Sequence, residues 1–163
     1  MRVVDLSFPI RPHFRWKVAR EVHTSHARGD LFESSVLAPP CHAYTHVDAP
    51  RHFLPGTRAI DEMPVDQWMG EAAVVDLTHL GANGEVTAAE LEARGGHVRA
   101  GPGARVTAED CTTHHVFFPA GITVIEYLTS LHEIGAARCR FVALPLKLAE
   151  ADGSPVRAVA LVD

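Results

Sequence analysis

A chain of 163 residues is long enough for one domain with a real core, and 47% apolar against 21% charged residues is an ordinary globular balance. A net charge of −5 argues against nucleic acid or an anionic membrane as the main partner, and no apolar run approaches a transmembrane length. Asp5 falls where a secretory leader would be apolar, and Cys41, Cys111 and Cys139 are widely spaced and read as reduced thiols, so a cytoplasmic protein is expected.

In chain order, Val3-Val4-Asp5-Leu6 reads as a short strand stopped by Pro9 and Pro12. Residues 13–30 are mixed and polar, with Gly29-Asp30 as a turn signal. Phe32 to Leu37 reads as a second strand, and Pro39-Pro40 breaks it. Leu54-Pro55-Gly56-Thr57 is a turn. Ala72 to Leu77 has the β-branched content of a buried strand. Thr87 and Glu90 match a capping box at a helix start, and Gly95-Gly96 ends that helix. Residues 101–113 read as loop, with at most one turn from Thr107. Ile122 to Ile125, Arg140 to Leu148 and Pro155 to Val162 are further strand candidates, with Gly153-Ser154 before the last. Strands outnumber helices in a mixed order. The expected fold is a single α+β domain over residues 1–163, with mixed β-sheets and few helices.

The chemistry concentrates between Pro40 and Leu54, where His42, His46, Asp48 and His52 stand close together. If residues 42–48 are extended, positions 42, 44, 46 and 48 share one face. His42, His46 and Asp48 then converge on one divalent ion, Zn²⁺ or Mn²⁺, and leave positions open for water and substrate. Tyr44 lies on that face, so it crowds the site or the strand is kinked there. A helix would also bring His42 and His46 to one side, but Pro39, Pro40 and Pro50 argue against one. Cys41 is a possible soft ligand, but strand neighbours face opposite ways. With 11 histidines in the chain, such a cluster alone is only moderately specific. Downstream, His114-His115 precedes an apolar stretch ending in Glu126. That acid either faces water at a strand end or is partly buried and needs a cation, a base or a metal.

The stretch from His42 to Phe53 resembles the signature H-x-G-T-H-x-D-x-P-x-H-F of the cyclase family of metal-dependent hydrolases, the kynurenine formamidase-like and isatin hydrolase-like proteins. Val4-Asp5-Leu6-Ser7, Ala59 to Pro64, Gly70 to Leu77, Gly121 to Glu126, Ala143 to Leu146 and Gly153 to Ala158 are similar to further family segments in the expected order. The resemblance implies that His42, His46 and Asp48 hold one metal. It implies that Asp48 bridges to a second ion completed by His114 and Glu126, with the neighbouring His115 the less favoured ligand. His52 matches the general acid/base, and Trp16 an aromatic substrate contact. The implied fold is of the swivelling β/β/α type, assembled as a homodimer or higher homo-oligomer.

Two departures bear on function. Tyr44 stands where the family has glycine, which predicts a phenol lining the pocket. After Val98 to Gly101, family members run through a further strand and a helical stretch, whereas this chain passes almost at once to Thr112-Thr113-His114. A partner chain is then expected to complete the pocket wall. The expected reaction is hydrolysis of a small-molecule amide, N-formyl or cyclic. A metal activates water and polarises the carbonyl, and His52 moves the proton. No Gly-x-Ser-x-Gly elbow supports a serine hydrolase. The alternatives are a cyclase/dehydratase of aromatic polyketide or other secondary metabolism, and a non-catalytic metal-binding subunit. Nucleic-acid binding lacks a basic patch.

Overall fold

In the computed structural model, which describes residues 1–81, 84–95 and 112–163, the chain starts on alternating burial. Val4 and Leu6 point inward and Val3 and Asp5 outward, the parity of a half-buried strand. This strand, β1 (Arg2–Asp5), pairs antiparallel with the C-terminal strand β9 (Val159–Val162), placing Val4 opposite Ala160. β9 pairs with β7 (Arg138–Val142), and β7 with the edge strand β5 (Met69–Ala73), giving the order β1-β9-β7-β5. Their shared core is built from Val4, Leu6, Ile134, Cys139, Ala143, Ala158 and Ala160.

A second sheet has the order β6-β4-β8, with β4 (His46–Asp48) between β6 (Val124–Glu126) and β8 (Gly153–Pro155). Both ladders are antiparallel, and they set His46 opposite Glu126 and Asp48 opposite Gly153. All of β4 is buried. Val47 turns into an apolar cluster with Ala49, Ile60, Met63 and Trp68, so His46 and Asp48 are left to the other face. A third pair, β2 (Ala19–Thr24) and β3 (Ser34–Ala38), forms a hairpin with a bulge between Val22 and Thr24. The helices are α1 (Ala88–Gly95) and α2 (Thr112–Phe117). The fold is α+β, with several sheets and few helices.

Several elements differ from the sequence expectation, each for a physical reason. β2 lies in the segment read as mixed and polar, because its side chains are almost all exposed and carry no alternation. The stretch 155–162 divides between two sheets, β8 and β9, a change that a continuous apolar run does not encode. β5 begins earlier than Ala72, ends at Ala73 and is largely exposed as an edge strand. β7 stops at Val142, ahead of Pro145, which makes only an isolated bridge to Val156. α2 begins at Thr112, inside the stretch read as loop. Thr87 caps α1 through its hydroxyl, which accepts from the Glu90 amide at 3.2 Å, while the Glu90 carboxylate pairs with His79 at 3.0 Å. Gly96, Thr107 and Cys111 lie outside the described residues. Among the described residues, no helix is long and apolar enough to cross a membrane.

Candidate metal centre

The centre is assembled around β4. His46 and Asp48 share a face of the strand, at 1% exposure each. The extended run expected over 42–48 is confined to 46–48, because residues 41–45 form turns and bends. Tyr44 has φ +57°, in the left-handed region that a side chain enters only at a cost. This is the position where the family signature has glycine. The turn swings His42 back over the strand, so that its Nδ1 lies 2.7 Å from Asp48 Oδ1. Thr45 pins the turn by donating to the Tyr127 carbonyl at 2.6 Å and accepting from the Phe8 amide at 2.9 Å.

The remaining donors arrive from β6 and α2. His46 Nδ1 donates to the Tyr44 carbonyl at 2.7 Å, which commits Nε2 to the centre, 3.3 Å from Asp48 Oδ1 and 3.7 Å from Glu126 Oε2. His114 Nε2 lies 3.2 Å from Asp48 Oδ2 and 3.2 Å from Glu126 Oε1. Two sets of three donors result, His42/His46/Asp48 and Asp48/His114/Glu126, each with ligand atoms within 4.8 Å of one another. Asp48 belongs to both, one oxygen turned to each. His115 is exposed and meets the edge of Phe53, while the His114 ring stacks on Phe53 at 4.3 Å.

The charge balance tests whether these residues suit a metal. Among the described residues, the ion-pair partners of the buried Asp48 carboxylate are His42, His46 and His114. A buried carboxylate needs compensating charge, and neutral imidazoles bring none. Burial works to raise the Asp48 pKa, but hydrogen bonds from His42 and His46 outweigh it and hold the group well below the usual carboxylate range. Burial likewise opposes the charged form of His42, but hydrogen bonds to Asp48 and Asp152 prevail and raise its pKa. A mixed set of imidazole nitrogens and carboxylate oxygens, with one carboxylate able to bridge, fits Zn²⁺ or Mn²⁺. Gly153 makes room for it. A Cβ there would come within 2.7 Å of His42 Cε1 and 2.8 Å of the Val47 carbonyl.

Around the donors stand the other candidates. His52, on the turn Pro50–His52, stacks on His42 with ring centroids 3.7 Å apart. Burial, and then the charge of His42, lower its pKa. Trp16 packs edge-on against Tyr127 at 4.8 Å, and Tyr127 stacks over His46 at 5.8 Å. Tyr44 does not follow the strand parity. Its left-handed backbone sends the ring to Trp16 at 4.6 Å, and its hydroxyl donates to the Arg11 carbonyl. It also lines a groove of about 770 Å³ with Phe8, Ile10 and Leu146 that holds none of the donors. Cys41 is in neither donor set among the described residues.

The family model described as "Putative cyclase" matches residues 4–116. The chain belongs to the cyclase family. A relative, the kynurenine formamidase of Salinibacter ruber (strain DSM 13855 / M31), is 29% identical over 206 aligned positions, spanning 98% of this chain and 97% of the relative. An alignment longer than the chain means that the relative carries residues with no counterpart here. The kynurenine formamidase of Bacillus cereus (strain ATCC 14579) is 27% identical over 200 positions, 96% and 95% of the two chains. Isatin hydrolase A from Ralstonia solanacearum superposes with a TM-score of 0.78 at 19% identity, covering 99% of this chain and 92% of the neighbour, a likeness of fold. Two residues beside the centre escaped the sequence reading, Tyr127 and Asp152. The available signals were slight: Tyr127 directly follows Glu126, and Asp152 precedes Gly153-Ser154.

Proposed function

We propose that this chain is a metal-dependent hydrolase of a small amide, acting on N-formyl or cyclic-amide substrates in the cytoplasm. The observation that carries the reading is the Asp48 carboxylate, buried and shared between two sets of imidazole and carboxylate donors. His42, His46 and Asp48 would hold one ion, and Asp48, His114 and Glu126 a second, as Zn²⁺ or Mn²⁺. A divalent ion there would supply a Lewis acid for the carbonyl and lower the pKa of water. The protein's own groups do the rest. His52 takes a proton from the attacking water and returns it to the leaving nitrogen. Trp16 and Tyr127 offer aromatic faces to a planar substrate, with Tyr44 backing Trp16. The names of the relatives, a formamidase and a hydrolase of the cyclic amide isatin, support the substrate class.

The working unit we propose is a homo-oligomer, a dimer in its simplest form. The hairpin β2–β3 is exposed along both strands, and Phe14 and Leu31 beside it are 96% and 95% exposed. A two-stranded sheet of this kind is marginal by itself, and a second copy would cover it. Light scattering at micromolar concentration tests this, and a stable monomer with full metal content would refute it.

The function is tested by elemental analysis of protein purified without added metal, together with hydrolysis of N-formylkynurenine and isatin. One or two equivalents of Zn or Mn with turnover of either amide is the expected result. Absence of bound metal, and failure to take up added Zn²⁺ or Mn²⁺, would overturn the reading. Bound metal without turnover on a wider amide panel would favour the non-catalytic subunit. Ring closure or dehydration of a polyketide would favour the cyclase.

A further inference from the structure

The structure assigns Asp152 as a positioning residue, whose carboxylate sets the ring orientation of both His42 and His52. The assignment rests on the hydrolase reading above. Asp152 Oδ2 lies 3.0 Å from His42 Nε2 and 3.6 Å from His52 Nδ1. The two imidazoles are stacked 20° from parallel, so one oxygen can serve the edges of both. His42 Nδ1 is already committed to Asp48 Oδ1 at 2.7 Å. Its two nitrogens therefore have separate duties: Nδ1 faces the centre, and Nε2–H donates to Asp152. A carboxylate behind a ligand histidine fixes the tautomer and ring angle and makes the ligand more basic.

The other two ligand histidines lack this support. His46 donates its second nitrogen to a backbone carbonyl, and His114 Nδ1 is buried with no hydrogen-bond partner among the described residues. Asp152 is held independently of its side chain. Its carbonyl accepts from the Ala49 amide at 2.9 Å, and the next residue, Gly153, is paired with Asp48 in the β8–β4 ladder. The register that places Asp48 thus also places Asp152. For His52 the carboxylate lies 3.6 Å from Nδ1, beyond hydrogen-bond distance, and acts through its charge: it favours the proton on Nδ1 and leaves Nε2 as the proton acceptor. A rival arrangement uses the same atoms differently, because His42, His52 and Asp152 are also three donors within 4.8 Å, and Asp152 could be a ligand of a further ion.

The test uses Asp152→Asn and Asp152→Ser beside the parent, all checked for folding by circular dichroism. The side chain is 49% exposed, so both variants should fold. Zn²⁺ affinity is measured by competition with a chromophoric chelator, and stoichiometry at saturating Zn²⁺. Long-range ¹H–¹⁵N spectra of the Zn-loaded proteins report the histidine tautomers. Asp152→Ser should bind Zn²⁺ about 10–100-fold more weakly at unchanged stoichiometry. Asp152→Asn, which keeps an acceptor oxygen, should lose less. His52 should be the Nδ1–H tautomer in the parent and shift toward Nε2–H in Asp152→Ser. Affinity in Asp152→Ser within about twofold of the parent, on the scale set by such supporting carboxylates, would overturn the assignment. So would an unshifted His52 tautomer, or the loss of one equivalent of Zn²⁺, which would make Asp152 a ligand. A parent that binds no Zn²⁺ would instead sink the hydrolase reading itself.

Discussion

The two main sheets use the same antiparallel ladder to bury opposite chemistry. β1-β9-β7-β5 turns small apolar residues inward, with Ala143, Ala158 and Ala160 fully buried beside Val4 and Leu6. β6-β4-β8 buries Val47 on one face of its central strand and His46 with Asp48 on the other. The first sheet is stabilised by removing apolar surface from water. The second carries a buried carboxylate whose desolvation must be offset by bound protons or by a cation. One half of the molecule should therefore be indifferent to metal and only weakly sensitive to pH, and the other half governed by both.

The sharpest break of this comparison is His46→Ala. It removes the most deeply buried of the ligand imidazoles and leaves Asp48 with one partner fewer. Metal at the His42/His46/Asp48 set should be lost, and hydrolysis with it. In the parent, Zn²⁺ at a thousand times its dissociation constant would add about 4 kcal/mol of stability. Thermal melts with and without Zn²⁺ should show a large upward shift in the parent and little in the variant. An equal shift in both would remove His46 from the ligand set.

The converse variant is Leu6→Ala, in a residue 1% exposed within the apolar sheet's core. It should cost about 2–5 kcal/mol, the range for large-to-small changes in a packed core. Urea unfolding reads that loss. The metal content and the Zn²⁺-induced shift of the folded fraction should match the parent. A variant that loses metal in proportion to its stability would show that the two sheets are not separable in this way.

A third prediction sets the sign of the pH dependence. In metal-free protein, the raised pKa of His42 gives stability that is complete below its ordinary value of 6.5 and is lost as pH rises through the folded value. The depressed pKa of Asp48 gives stability present above its ordinary 3.8 and lost only in stronger acid. Metal-free protein should thus be most stable between these two values and weaken toward alkaline pH, the lowered pKa of His52 working in the opposite sense and offsetting part of that loss. Metal binding displaces the imidazole protons, so the Zn²⁺-loaded protein should gain stability over the same rise. Melting curves from pH 5 to 8 should therefore run in opposite directions with and without Zn²⁺. Parallel curves would mean that these groups do not hold the ion.

This division also explains what the sequence could reveal. The cluster from His42 to His52 was visible because ligand chemistry is a matter of residue type and close spacing. The joining of His114 and Glu126 to Asp48 was available only through the family resemblance, since it depends on α2 and β6 meeting β4 in space. Parity placed His46 and Asp48 on a common face and left Tyr44 either crowding the site or marking a kink; the kink is what forms, because one left-handed residue resets the alternation. Asp152 was hidden for a related reason. It reaches His42 through the register of β8 on β4, and register is a property of two strands together. β2 left no periodic signal, and the passage from β8 to β9 changes sheets without changing hydropathy.

The smallest effect is expected where the apolar sheet carries charge on its surface. Asp5, at the end of β1, accepts two hydrogen bonds from Arg157, from Nε at 2.9 Å and from Nη2 at 2.6 Å. The bidentate geometry is good, and it lowers the Asp5 pKa. Yet both side chains are substantially exposed, and water and salt screen such pairs. The sign is that of a depressed carboxylate: the contribution is present above the ordinary 3.8 and lost as pH falls through the folded value. Asp5→Asn should therefore lower the melting temperature slightly at pH 7 and by less in acid, with the pH 7 difference shrinking in 1 M salt. Because the pair lies on the apolar sheet, that small loss should be the same with and without Zn²⁺. A metal-dependent effect of Asp5→Asn would show that charge on the apolar sheet is felt at the centre, and the separation between the two halves would have to be abandoned.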